Sequence, residues 1–207
     1  MWSYNQEDIN KDLGSEYLEK SGCFKAKILF AKKKNSSSSQ SEGLEFNVET
    51  ESGSCRFDIW YKNKTGEEIS FSTAMLNQLC FMLKIDPSKF ETYTKTEKFG
   101  DNEYQNEFIK NFEGKEVGVF LMHKYDTYNG KTSLKFDCKG FYYPETNKTT
   151  SETKKGEEAK KFEYWTDKFK DNNLAVKKPE KEKVPADDFF GGDNVEDSNE
   201  FPWKWYK

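Results

Sequence analysis

The chain has 207 residues, of which 34% are hydrophobic and 34% are charged, and its formal net charge is −4. This length suits one compact domain with appendages better than two full domains. Residues 187–200 contribute six acidic side chains and no basic one, so the rest of the chain carries a net charge of +2. The acidic balance is therefore a property of the C-terminal tail, and it does not exclude an acidic partner such as nucleic acid.

The sequence predicts a cytosolic protein without a membrane span. Its longest strongly apolar run, VGVFLM at 117–122, is far shorter than the roughly 18 residues of a transmembrane helix. The polar N-terminus predicts no signal peptide. Four widely spaced cysteines form no CxxC pair, which predicts reduced and mostly buried thiols: Cys23, Cys55, Cys80 and Cys138.

Three N-terminal segments alternate between apolar and polar side chains, which predicts half-buried strands. Short polar connectors separate them, so we expect an antiparallel meander. The predicted inward residues are Phe24, Ala26, Ile28 and Phe30 in segment 22–34, Leu44, Phe46 and Val48 in segment 44–51, and Cys55, Phe57, Ile59 and Tyr61 in segment 55–62.

In the middle of the chain the spacing of apolar residues changes from that of a strand to that of a helix. Residues 72–85 carry apolar side chains at helical spacing, with Ser72 or Thr73 as the N-cap and Pro87 just beyond the end. The polar segment 88–113 has no predicted element and is either part of a binding groove or an ordinary loop. Two apolar-rich runs, 115–125 and 131–143, flank an Asn-Gly pair, which predicts a β-hairpin.

This order of elements predicts a mainly β protein with a five-stranded OB-fold-like barrel and a helix between strands 3 and 4. Peripheral helices are expected as well, one of them around 156–170, where Phe162, Trp165 and Phe169 have helical spacing. We expect residues 1–145 to form the barrel domain and 146–176 a charged, helical extension. Residues 177–207 are expected to form a flexible linker and a disordered acidic, aromatic tail.

The sequence predicts no enzyme, no cofactor and no metal site. The single histidine, His123, has no partners at the spacing of zinc ligands. No glycine-rich phosphate loop or nucleophile motif occurs. A few carboxylates lie on predicted strands without forming a recognisable motif, so a metal-dependent nuclease is the less favoured alternative.

Cationic and aromatic side chains are interleaved on the predicted outward face and in the last hairpin. This combination suits single-stranded nucleic acid, because lysines contact phosphates while aromatic rings stack on bases. The alternative is that the lysines keep the protein soluble and that the C-terminal helix covers Trp60. The predicted single-stranded DNA-binding residues are Lys25, Lys27, Arg56, Trp60, Lys62, Lys124, Tyr125, Tyr128, Lys131 and Lys135.

Four segments occur in the order of a known family: YLEKSGCFKAKILFAKKK at 17–34, CRFDIWYK at 55–62, STAMLNQLCFMLKI at 72–85 and FEGKEVGVFL at 112–121. With them and the tail, the chain resembles the single-stranded DNA-binding proteins of bacteria and, more closely, of bacteriophages. The resemblance covers roughly residues 15–145 plus the tail. It implies a non-catalytic protein that coats single-stranded DNA in phage replication, recombination or repair, in the host cytoplasm.

In such proteins a flexible acidic tail with a hydrophobic tip recruits replication or recombination proteins such as a polymerase, helicase or primase. It also competes with DNA for the basic groove. Here KWYK follows the last acidic-aromatic cluster, so the tip is not terminal. A replisome adaptor that binds proteins but not DNA is the alternative. The matching tail residues are Asp187, Asp188, Phe189, Phe190, Glu200, Phe201 and Trp203.

Overall fold

The computed structural model describes residues 17–36, 38–99, 102–128 and 131–176. Three α-helices occur in these ranges: α1 (Ser70–Leu83), α2 (Thr150–Lys155) and α3 (Lys160–Ala175). None of the helices in this part of the chain has the length and apolar character needed to cross a bilayer. The same ranges contain seven strands: β1 (Gly22–Asn35), β2 (Glu42–Thr50), β3 (Gly53–Trp60), β4 (Thr92–Phe99), β5 (Asn102–Ile109), β6 (Glu116–Tyr128) and β7 (Lys131–Tyr142).

β1 organises the sheet because its two halves have different neighbours. Along one edge it pairs with β2, which pairs with β3. Along the other edge its first half pairs with β6, while Lys32 in its second half pairs with Phe108 of β5. β6 then pairs with β7, and β5 with β4. All these pairs are antiparallel, and no ladder joins β3 to β7 in the described residues, so the sheet is open.

The mainly β prediction is confirmed, but the prediction of five strands is wrong because β4 and β5 were missed. They form a hairpin within the segment 88–113. β4 reads TYTKTEKF, whose β-branched and aromatic residues favour a strand. Most of the hairpin is exposed, and Phe108 and Ile109 at its base are the residues buried in β5. Without an apolar face, the segment lacks the alternation by which strands are recognised.

The predicted apolar face of β1 changes side at Leu29. Ile28 pairs with Val48 and Phe30 pairs with Asn47, so Leu29 is an extra residue in a β-bulge. A shift of one residue moves all later side chains to the other face. Ala31 is therefore buried, and Phe30, which was predicted to face the core, lies on the opposite face.

The main core lies between the inner face of the sheet and α1. Phe46 stacks on Phe57 with ring centroids 5.5 Å apart and meets Phe112 edge-on at 5.4 Å. The segment predicted to be helical, 72–85, overlaps α1, and Met75 and Leu79 on the apolar face of α1 are buried in this core. Its cap was predicted wrongly, because α1 begins at Ser70 and the N-cap position is occupied by Ile69, which makes no side-chain capping bond.

A smaller core holds α3 against the face of β1 and β6 that is turned away from the main core. Phe120 and Tyr142 stack at 4.8 Å, and Phe169 of α3 is buried beside them. Phe162 and Trp165 pack against the same cluster, so the predicted apolar spacing of this helix is confirmed. The extension 146–176 therefore folds back onto the sheet.

All four cysteines are free thiols. The prediction of mostly buried cysteines is confirmed, because Cys55, Cys80 and Cys138 are buried and Cys23 is half-buried between β1 and α3. Burial raises the pKa of Cys55 and of Cys138 to about 12 and that of Cys80 to about 11.

Candidate nucleic-acid interface

A groove of about 600 Å³ opens between β3 and the β6–β7 hairpin, where the sheet is not closed. One end of the groove is bounded by the N-terminal segment, in which the Leu18 N–H donates to the Ser54 carbonyl at 2.9 Å. The structure brings four of the ten predicted DNA-binding residues into this groove: Arg56, Trp60, Lys124 and Lys135.

Strand alternation places Arg56 and Trp60 on the outer face, because Phe57 and Ile59 between them point into the core. The Trp60 ring lies against Gly43 of β2, since a Cβ atom on that glycine would come within 3.0 Å of the indole ring. The ring is half-exposed. α3, which was the alternative cover for Trp60, packs on Phe120 and Tyr142 instead.

Ion pairs run through the groove, so its surface is of mixed charge. Lys34 Nζ lies 2.6 Å from Asp58 and 5.7 Å from the centroid of the Trp60 ring. Burial lowers the pKa of Lys34, but the hydrogen bond and charge of Asp58 outweigh burial and raise this pKa above its ordinary value. Lys124 pairs with Asp137 at 3.0 Å.

Two cations of the groove form weaker ion pairs than Lys34 and Lys124 do, or none. Arg56 approaches Glu45 only to 3.8 Å, and its guanidinium lies 5.5 Å from the centroid of Phe30. Lys135 is exposed and forms no ion pair within the described part of the chain. Both side chains are therefore placed to accept a phosphate at little cost in broken contacts.

Several predicted site residues lie outside the groove. Lys25 and Lys27 lie on the first half of β1, where Lys25 pairs with Glu116 at 3.1 Å. Lys62 pairs with Glu42 at 2.9 Å. Tyr125 points to the other side of the β6–β7 hairpin, where its ring meets His123 edge-on.

The backbones of Tyr128 and Lys131 pair at the tip of the β6–β7 hairpin, but their side chains are not among those that the structure describes. The seven predicted tail residues also lie outside the described ranges. These are Asp187, Asp188, Phe189, Phe190, Glu200, Phe201 and Trp203.

Sequence reasoning missed a group of aromatic side chains on the same outer face, the aromatic strip, which consists of Phe30, Phe108, Tyr93 and Tyr104. Phe30 meets Phe108 edge-on at 5.4 Å, and Tyr93 stacks on Phe108 at 5.4 Å and 19°. The bulge at Leu29 turns Phe30 toward this face, and the other three belong to the β4–β5 hairpin. The alternation of threonine with aromatic and charged residues in β4 was the one available indication.

His123, the single histidine, is buried in a polar cluster that joins the N-terminal segment, β6 and α3. Its Nδ1 lies 2.7 Å from Ser21 Oγ, which donates to Asn172 Oδ1 at 2.7 Å. The described ranges hold no group of three or more His, Cys, Asp or Glu side chains arranged to bind a metal ion.

The sequence matches no model of a known protein family and no curated protein. The functional argument therefore depends on the sheet, the groove and the side chains that line it.

Proposed function

We propose that the protein binds single-stranded DNA without catalysing a reaction, and that it coats DNA during phage replication, recombination or repair. The observation that carries this proposal is the groove, in which the half-exposed ring of Trp60 lies on the same wall as Arg56 and across from Lys124 and Lys135. An aromatic platform flanked by cations binds single strands with little sequence preference, because every base has a face to stack and every nucleotide a phosphate.

The strand pairing supports an OB-like interpretation of the fold. β1 pairs with β2 on one side and with β6 on the other, while β3 and β7 lie at the outer ends of these two branches. α1 follows β3 in the chain. In this interpretation the β4–β5 hairpin is an insertion, and the groove lies on the surface that OB-folds use to bind oligonucleotides.

The acidic tail has a proposed role of its own. Its carboxylates mimic the charge of a DNA strand and compete for the groove, while its aromatic residues contact a replication or recombination protein.

The first test is a titration of fluorescently labelled oligo-dT, about 30 nucleotides long, with the full chain and with a chain ending at Val184. We expect tight binding that weakens as salt rises and that strengthens without the tail. Failure of both chains to bind at low salt would refute the proposal. Unlabelled RNA added as a competitor tells DNA from RNA binding.

Trp60→Ala tests the stacking platform directly. Loss of one stacked base is worth roughly 1–3 kcal/mol, so the dissociation constant should rise about 5- to 150-fold. Tyr164→Ala is the matched control, because Tyr164 is an exposed aromatic residue on α3 and lies outside the groove. Equal binding by the Trp60 variant and the control would remove Trp60 from the site.

A protein–protein adaptor is the second candidate, and the mixed charge of the groove favours it. Lys34 and Lys124 already have carboxylate partners, which a DNA phosphate would have to displace. An adaptor would bind a replication protein through the same groove and would show no affinity for oligo-dT at low salt. The titration above therefore separates the two candidates.

A further inference from the structure

We propose that the aromatic strip forms a second part of the DNA site, so that a strand leaving the groove continues across β1 onto the β4–β5 hairpin. This inference deepens the proposed function and depends on it. Four residues define the strip, and none of them was predicted as a site residue: Phe30, Phe108, Tyr93 and Tyr104.

The groove and the strip are one continuous surface. Arg56, which lines the groove, lies 5.5 Å from the centroid of Phe30, the first ring of the strip. Phe30 contacts Phe108, and Phe108 in turn stacks on Tyr93. Tyr104 is the cross-strand partner of Glu97, whose carboxylate binds Lys32 on the same face.

Two rings of the strip are accessible to a base. Tyr93 is 40% exposed and Tyr104 is 50% exposed. The Tyr93 ring is held in position by the buried ring of Phe108 on one side and by a hydrogen bond from its hydroxyl to Glu113. A ring that is already fixed loses little side-chain freedom when a base stacks on it, so it is a suitable platform.

The local charges favour bases more than phosphates in the strip. Glu97 accepts hydrogen bonds from Lys32 at 2.9 Å and from Asn106 at 2.6 Å, so its charge is largely satisfied. Lys95, between Tyr93 and Glu97 on the same face, is exposed and forms no ion pair in the described ranges. One lysine without an ion-pair partner, next to two exposed rings, suits a DNA strand whose bases stack on the rings and whose backbone makes few phosphate contacts here.

The size of this surface sets the length of strand that it can hold. Four strand spacings of about 4.8 Å separate β3 from β4, so the face measures about 19 Å across the strands. Single OB domains bind about 4–16 nucleotides. We therefore expect a short oligonucleotide to fill the groove alone and a longer one to reach the strip.

The test compares oligo-dT of about 4 and about 20 nucleotides on the parent protein, on Tyr93→Ala/Tyr104→Ala and on Tyr93→Phe/Tyr104→Phe. The alanine variant should bind the long strand at least about fivefold more weakly and the short strand as well as the parent does. The phenylalanine variant keeps both rings and the contact of residue 93 with Phe108 but loses the Tyr93–Glu113 bond, so it should bind the long strand more tightly than the alanine variant does. Thermal unfolding checks that the hairpin is intact, and Tyr104→Ala alone, away from Phe108, is the second variant.

Equal binding of the long strand by all three proteins would overturn the inference. If the parent binds DNA and Trp60→Ala weakens both lengths, that result would leave the proposed function standing. A parent that binds neither length would instead refute the proposed function itself. If the alanine variant binds the long strand more weakly than the parent does and the short strand equally well, the result supports both the proposed function and the role of the strip.

Discussion

Replacement of Lys32 by methionine should release the β4–β5 hairpin from the rest of the sheet. Lys32 Nζ lies 2.9 Å from Glu97 of β4 and 3.1 Å from Glu45 of β2. The Glu45 oxygen is close enough for an ion pair but is not aligned for a hydrogen bond. Lys32 is thus a charged link between the hairpin and the β1–β2 pair, beside the single residue pair that joins β1 to β5.

The expected loss in the free energy of unfolding is about 3 kcal/mol. Removal of one partner from a buried ion pair costs about 3–5 kcal/mol, because the remaining charge is left without compensation. The side chains of Lys32, Glu45 and Glu97 are 9%, 13% and 18% exposed, so the penalty is close to that of a buried pair. The lower end of this range of costs applies, because Asn106 still donates a hydrogen bond to Glu97 in the variant.

Lys33→Met is the matched control. Lys33 is the next residue along β1 and also pairs with a carboxylate of the hairpin, Glu107, at 2.8 Å. Both side chains of that pair are 41% exposed, so its loss should cost less than about 1 kcal/mol. Denaturant unfolding of the two variants, followed by far-UV circular dichroism, gives both values. A cost for Lys32→Met no larger than that for Lys33→Met would refute the reasoning.

The pH dependence gives the same prediction a second test. Burial works to raise the pKa of Glu97, but the hydrogen bond and charge of Lys32 outweigh it and hold this pKa below its ordinary value. A lowered pKa means that the pair stabilises the fold above the unfolded pKa of about 4.3 and that this stability is lost as the pH falls through the lowered value. The gap between the parent and Lys32→Met should therefore be largest near pH 7 and should shrink toward pH 3. A gap that stays constant would contradict a charge origin.

Three further outcomes follow from the packing. Gly118→Ala should cost about 1–3 kcal/mol or more, because its Cβ would lie 2.3 Å from the Tyr142 ring, and an unchanged melting temperature would contradict this. Ser21→Ala should lower the free energy of unfolding in denaturant by about 1–3 kcal/mol, because the buried backbone N–H of His123 loses the Ser21 hydroxyl that accepts its hydrogen bond at 2.8 Å. Ser133→Ala, at an exposed position, is the control, and equal losses in the two variants would disprove this reasoning. Thiol reagents at pH 8 should modify the buried cysteines Cys55, Cys80 and Cys138 only after unfolding, because burial raises the pKa of these thiols and the thiolate is the reactive form. Rapid reaction of all four thiols in the native protein would contradict this prediction.

The elements that were predicted correctly have one buried face. β2 and β3 alternate with period two because Phe46, Val48 and Phe57 all contact the main core. The β6–β7 hairpin was recognised for the same reason, with Asn-Gly between two apolar runs. In these segments the burial of one face dictates the residue pattern, so the pattern predicts the structure.

The elements that were missed lack that constraint. The β4–β5 hairpin is exposed over most of its length, so it has no buried face that would impose an alternation of apolar and polar residues. The bulge at Leu29 is set by the register of β1 against β2, which depends on residues about 18 positions away. A strict alternation rule therefore placed Phe30 in the core, and Phe30, Tyr93 and Tyr104 were lost from the candidate site.

The candidate site shows why residue identity alone overstates its positive charge. Alternation placed Arg56 and Trp60 on the outer face correctly, but a sequence does not show which carboxylate comes to lie opposite each cation. If all seven predicted cations contacted phosphates, the logarithm of affinity would fall with a slope of about −5 against the logarithm of salt. Three of them, Lys25, Lys62 and Lys124, already hold carboxylates within 3.1 Å. A phosphate that displaces a carboxylate leaves that carboxylate to recruit a cation from solution, so these contacts release few counterions in total. The four other predicted cations then limit the slope to about −3 at its steepest, and stacking on Trp60 should supply the remaining affinity.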